Sequence, residues 1–333
     1  MRFLVTIMCS LLCLAPVRPA WADVSEIRIA QQTSIAFLQF NVMKHRGMLE
    51  KHAAALGVPD LKVSFATFNG SDAMNDALLS GAVDVVSGGV PGLVIIWAKT
   101  YGTSREVKGI AAMARMPSLL TSRNPAVKTI RDFTAADKIA MPSVKSSTQA
   151  VLLEMAAAKE WGEANYEKLD ALTVAMAPSE ATIGLLSGGA GFNAAFTVPP
   201  FQDMQLKDPA VHVVLDSRDV VGDASLSVGW TSKAFHDANP RVYLALLNAI
   251  KEASAFIAAK PREAAGYYIA DTKTRTDPET VIGLVSGPGV HYGVTPLATA
   301  QFAAFMYRIG RIKVQAKSWK DLFFAEIHDE PGG

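Results

Sequence analysis

Three turns in this sequence set small polar residues and glycine directly ahead of apolar stretches: Asn69-Gly70-Ser71-Asp72, Ser87-Gly88-Gly89-Val90-Pro91 and Lys145-Ser146-Ser147-Thr148. Each turn follows a β-branched run and opens a helix-forming one, so each would present unpaired N–H groups and the positive end of a helix dipole. Such a helix start suits an anion or a strong hydrogen-bond acceptor. Ordinary capping accounts for the same residues, because Ser, Asn and Asp are favoured N-caps in any protein and replacing one costs about 1 kcal/mol whether or not a ligand binds. The glycines add something capping does not need: Gly70, Gly88 and Gly89 let the backbone approach a bound group closely. The candidate contacts from these turns are Asn69, Gly70, Ser71, Gly88, Gly89, Ser146, Ser147 and Thr148.

Other residue types give less. Arg115 lies where the chain is expected to pass between two lobes, and its guanidinium would either grip a carboxylate or sulfonate through paired bonds or serve an interlobe salt bridge. Phe37, Phe68, Phe201 and Trp230 lie near the turns or the second crossing. Aromatics at strand ends are more often core, and of these only Phe37 and Trp230 are retained as candidate apolar walls. Catalysis finds no foothold. The six histidines form no H-E-x-x-H pair, G-x-S-x-G is absent, Gly287-Pro288-Gly289 does not complete a dinucleotide fingerprint, and no P-loop occurs. Both cysteines, Cys9 and Cys13, fall in the N-terminal apolar run, so thiol chemistry and disulfides are excluded from residues 23–333.

These turns need rigid elements behind them. Short β-branched runs alternate with amphipathic stretches, which predicts an α/β protein with mainly parallel sheets. Strands are expected at 26–31, 61–68, 82–87 and 107–114, with helices at 37–56, 71–80 and 91–99 between them. A second set follows, with extended segments at 118–122, 139–142, 172–175, 193–196 and 211–215 and helices at 147–161 and 179–186. Residues 225–231 are extended again and would return the chain to the first set. The remainder is largely helical, with Tyr243, Leu246, Leu247, Ile250 and Ile257 on one stripe. The expected organisation is a first lobe from 23–116 with 225–333, and a second, inserted lobe from 117–224. Two crossings make a hinge.

Arg2, the apolar run 3–14 and Ala20-Trp21-Ala22 read as a secretory signal peptide cleaved after Ala22. Its loss takes Lys+Arg from 32 to 30 against 31 Asp+Glu, which gives no electrostatic case for nucleic acid. With 333 residues, half of them hydrophobic, the chain is long enough for two compact units.

Further stretches carry a resemblance. They are Ile27-Arg28-Ile29-Ala30-Gln31-Gln32, Lys44 through Lys51, Asn69-Gly70-Ser71 with Ala77 through Asp84, Thr129-Ile130-Arg131-Asp132-Phe133, Ser146-Ser147, Leu185 through Gly189, and Val198-Pro199-Pro200-Phe201. In this order and spacing the chain resembles the ABC-transporter substrate-binding proteins of the nitrate, sulfonate and taurine group, which includes thiamine-precursor binders. The resemblance implies a type II periplasmic-binding-protein fold with the ligand between two lobes, and it places Gln32, Ser71, Gly89, Ser147 and Pro199 in the cleft. It further implies a monomeric, non-enzymatic periplasmic binder without cofactor, which takes a small anionic or zwitterionic ligand such as a sulfonate or taurine-like compound to an ABC permease and ATPase. A pyrimidine-type vitamin precursor, a carboxylate, or service in a sensor are the alternatives. Two departures bear on the ligand. Asp72 sets a carboxylate beside one helix start, where it would accept the amine of an amino-sulfonate or merely complement the dipole. Phe192-Asn193-Ala194-Ala195 lacks the family's acidic step.

Overall fold

The computed structural model describes residues 23–188, 191–274 and 276–333, so the expected signal peptide lies outside the described residues. Among the described residues eleven strands form two sheets: β1 (Glu26–Gln31), β2 (Lys62–Thr67), β3 (Val85–Gly89), β4 (Val107–Arg115), β5 (Leu119–Ser122), β6 (Ile139–Met141), β7 (Thr173–Ala175), β8 (Ala194–Thr197), β9 (His212–Asp216), β10 (Ser225–Ser232) and β11 (His291–Tyr292). The first sheet runs β11-β4-β10-β3-β1-β2 and the second β7-β6-β8-β5-β9. Strand β1 lies parallel between β2 and β3, with Ile29 opposite both Phe65 and Val85. Its Ile27 and Ile29 are fully buried, and Arg28 between them turns to Asp84 with Nη2 and Oδ1 2.7 Å apart. The Arg28 side chain alternates to the other face from Ile27 and Ile29, is 41% exposed, and meets the Asp84 carboxylate with paired bonds.

The sheets are mixed and not mainly parallel as the strand pattern suggests. Strand β10 runs antiparallel to β3 and β4, and β5 antiparallel to β8 and β9. These two strands reach their sheets from the other sheet, without a strand–helix–strand crossover, so nothing constrains them to be parallel. The chain passes from the first sheet to the second between Arg115 and Leu119, and back between Asp216 and Ser225.

The helix expected at 37–56 is broken. Ser34 caps a single 3-10 turn, Ile35–Phe37, which leads into α1 (Leu38–Arg46); Gly47 then adopts φ 57° before α2 (Met48–Ala55). That left-handed angle suits glycine and ends α1 with an αL cap. Both helices pack under Pro240–Ala259, whose buried stripe includes Val242, Tyr243, Leu246, Leu247, Ile250 and Ile257. Among the described residues Pro240–Ala259 is the one helix long and apolar enough to cross a membrane, and its apolar stripe is spent on this core.

Four helices start just beyond the carboxyl ends of parallel strands: α3 (Ser71–Leu79) after β2, α4 (Val90–Thr100) after β3, α5 (Thr148–Trp161) after β6 and α6 (Pro178–Ser187) after β7. In open α/β sheets this is where ligands are held.

Candidate ligand cleft

The starts of α3, α4, α5 and α6 converge on one cleft between the sheets, enclosing about 110 Å³. On the same scale one water needs about 10–15 Å³, so the space admits a ligand of several heavy atoms. Three of the four starts have N-caps without a side-chain cap bond: Gly70 for α3, Gly89 for α4 and Ala177 for α6. Their first N–H groups have no intrahelical partner, although Pro91 and Pro178 remove one such donor each from α4 and α6. In α5 the cap is made, with Ser147 Oγ accepting from Ala150 N at 3.1 Å. Apolar walls come from Phe37, Phe68, Val198, Phe201 and Leu226.

Of the residues singled out from sequence, Gln32, Phe37, Asn69, Ser71, Gly89, Ser147 and Thr148 line this cleft. Gln32 is tied to the second turn by its Nε2, which donates to the Asn69 carbonyl at 3.4 Å. The others lie elsewhere, each for a physical reason. Trp230 has no exposed surface and donates its Nε1 to Asn75 Oδ1 at 3.0 Å, which makes it a core residue. Gly88 supplies room for it, since a Cβ there would stand 2.8 Å from Trp230 Cη2. Arg115 pairs with Asp223, Nη1 to Oδ2 at 3.3 Å, on a separate depression near the crossings and not in this cleft. Ser146 turns from the cleft and donates to Asp72 Oδ2 at 2.6 Å. Gly70 is a point of interlobe contact, where a Cβ would meet Ser143 Oγ at 2.3 Å. Pro199 does not line the cleft; its carbonyl accepts from Ser34 Oγ, a lining residue, at 3.2 Å, and the peptide bond to Pro200 is cis.

Several lining residues were not legible as such: Thr33, Ser34, Ser143, Gln149, Ser227 and the Ala177-Pro178-Ser179 start of α6. Pro178 at the first helical position was a usable signal for that start. The Asn193 departure from the family pattern has a local role, since its Nδ2 donates to Asp137 Oδ1 at 2.7 Å and its Oδ1 accepts from Lys138 N at 3.2 Å.

Among the described residues every one lining the cleft is uncharged, so donors, acceptors and aromatic surface do the recognising. Asp72, whose Oδ2 accepts from Ser146, is not among them. The strongly shifted carboxyl nearest in sequence to these turns is Glu154 on α5, pushed up to about 7 by burial against the pull of Arg311. No group of three or more His, Asp or Glu side chains able to hold a metal occurs among the described residues.

The family model described as NMT1-like matches residues 23–270. Among solved structures, the chain is similar to the alkanesulfonate-binding protein SsuA from Xanthomonas axonopodis pv. citri bound to MOPS, at 16% identity over 87% of this chain and 95% of that one, with a TM-score of 0.67. It is similar to the periplasmic aliphatic sulphonate binding protein SsuA from Escherichia coli at 18% identity, 90% and 99% coverage and a TM-score of 0.65. The periplasmic nitrate-binding protein NrtA from Synechocystis PCC 6803 gives 15%, 89% and 84% coverage and 0.68. These likenesses establish the two-lobed periplasmic-binding-protein fold. No curated protein sequence matches the chain.

Proposed function

Since the chain belongs to the NMT1-like family and has this two-lobed fold, we propose that it is the solute-binding component of an ABC importer and captures a small organic anion with an apolar body, such as an alkanesulfonate. One observation carries the reading: four helix starts, three of them without a side-chain cap, meet in a cleft that has phenylalanine walls and no charged side chain among its described lining residues. Free N–H groups at a helix start complement an anionic head, and the aromatic walls bury an alkyl or aryl tail. An amino-sulfonate fits less well, because Asp72, the carboxylate considered for its amine, is engaged by Ser146.

The rest of the reading follows from this one. The chain is exported and cleaved after Ala22, and it acts as a monomer that binds without catalysis and docks on a permease and ATPase. The lobes comprise 23–116 with 225–333, and 117–224, and they close about the two crossings. A thermal-shift screen tests the ligand class. A binder of the folded state adds about 2.7 kcal/mol of stability at a hundredfold excess over Kd. Alkanesulfonates should raise the melting temperature more than taurine, carboxylates or nitrate. A response confined to uncharged aromatic compounds would overturn the anion reading.

A further inference from the structure

Beyond the cleft, a further link between the two lobes runs through Arg311. Its guanidinium makes paired bonds to Glu154, Nη1 to Oε2 and Nη2 to Oε1, both at 2.8 Å, and Nη1 donates again to the Lys145 carbonyl at 2.7 Å. The two side chains are 13% and 1% exposed, so this is a buried pair. Arg311 follows the helix Thr299–Arg308, which packs on α4 of the first lobe and on α5 of the second. The same segment reaches α5's far end, where Arg308 Nε lies 2.8 Å from Glu163 Oε2 and Phe305 meets the Tyr166 ring edge-on at 6.4 Å.

The residue that Arg311 holds by its carbonyl is unusual. Lys145 has φ 66°, a left-handed angle that a residue bearing a side chain rarely adopts. It stands immediately before Ser146, Ser147 and Thr148, the turn that engages Asp72 and opens α5 into the cleft. A strained backbone persists only where surrounding groups determine it. One guanidinium therefore fixes both the turn and the helix behind it, from the opposite side of the cleft. Arg311 also lies past residue 270, outside the span matched by the family model.

We propose that Arg311 is a positioning residue for ligand capture: by holding Glu154 and the Lys145 carbonyl it sets the ligand-facing turn and biases the lobes toward the closed arrangement. This rests on the binding function proposed above, but its first test needs no ligand. Residues 23–333 contain no cysteine, so Tyr101→Cys and Ile183→Cys, both at exposed sites on different lobes, can be spin-labelled alone. Pulsed electron-spin distances in the ligand-free protein should show one dominant population for the parent. Arg311→Met should add a longer one, and Arg311→Lys, which retains one bond in place of the fork, should fall between. With an alkanesulfonate that the screen has shown to bind, Arg311→Met should speed dissociation by about tenfold while association changes little, as expected for a lost charged hydrogen-bond pair.

If Arg311→Met does not fold, Glu154→Gln, compared with the parent at pH 8, where the parent carboxyl is ionised, keeps the shape, removes the charge and carries the same two expectations. Unchanged distance distributions in the folded variant overturn the proposal whether or not a ligand is known. Altered distances with unchanged dissociation overturn the link to affinity and leave the binding reading standing. A screen without any binder defeats the binding reading and leaves the distance result to be judged by itself.

Discussion

Ser146 Oγ donates to Asp72 Oδ2 at 2.6 Å, so the turn ahead of α5 meets the first turn of α3 across the two lobes. A hydroxyl on a carboxylate is a short, charge-assisted bond, and it forms only when the lobes are together. Asp72→Asn should therefore leave the ligand-free melting temperature nearly unchanged and weaken sulfonate affinity several-fold. Calorimetry with an alkanesulfonate and its amino-substituted analogue checks the cause. The same factor for both is expected, whereas a loss confined to the amine would make Asp72 a ligand contact.

Gly89 and Thr148 define how closely the lobes approach. A Cβ on Gly89 would stand 2.4 Å from Thr148 Oγ1, while Gly89 itself has an ordinary φ of −69°. Gly89→Ala should thus fold normally yet resist closure, with ligand affinity down more than tenfold and a larger radius of gyration at saturation. Adding Thr148→Ala removes the clashing atom and should recover most of the loss. A double-mutant cycle reads this coupling directly.

Ser71 and Ser147 both line the cleft but hold different places in their helices. Ser147 is the N-cap of α5, accepting from Ala150 N, whereas α3 is preceded by Gly70 and has no side-chain cap. Ser147→Ala should cost about 1 kcal/mol of stability along with affinity. Ser71→Ala should lower affinity by about 0.5–1.5 kcal/mol with the melting temperature unmoved. Paired melts and titrations of the two variants separate capping from binding.

Glu154 gives the fold a pH signature. Burial lifts its carboxyl from 4.5 to about 7, with Arg311 and Lys145 opposing the shift and Asp170 adding to it. A raised folded value means that the native state binds the proton more tightly, so the stabilisation is complete below pH ~4.5 and is lost as pH rises through about 7. Relative to Glu154→Gln, the parent should lose up to about 3 kcal/mol between pH 5 and 8, at roughly 1.4 kcal/mol per unit. Denaturant titrations of both proteins across that range measure it. Asp137 and Asp271, held low by hydrogen bonds despite burial, act in the opposite sense, and their contribution is lost only at strongly acid pH.

The elements were legible because their signals are local. The strands at β1 to β4 and the starts of α3, α4 and α5 follow from alternation and from polar turns within a few residues. Side-chain destinations were not, because they depend on distant partners. Arg115 is claimed by Asp223, 108 residues away, and Arg311 by Glu154, 157 residues away. Trp230 faces the core because β10 sets it opposite Val86 and because Gly88 leaves space for the indole, a matter of register that no single turn encodes. The helix at 179–186 was read from sequence, but its start was not singled out as ligand-facing, because Ala177-Pro178-Ser179 lacks the cluster of small polar residues or glycines that marked the other three turns.

A cleft whose described lining residues bear no formal charge has a consequence for how it meets its ligand. Helix-start dipoles act within about one turn, and a field from so neutral a wall does not reach a solute beyond a Debye length of ~8 Å at physiological ionic strength. Encounter is then left to plain diffusion, without the long-range attraction that makes association fall steeply with added salt. Loading of this protein should accordingly track the concentration of its solute and be nearly indifferent to the ionic medium.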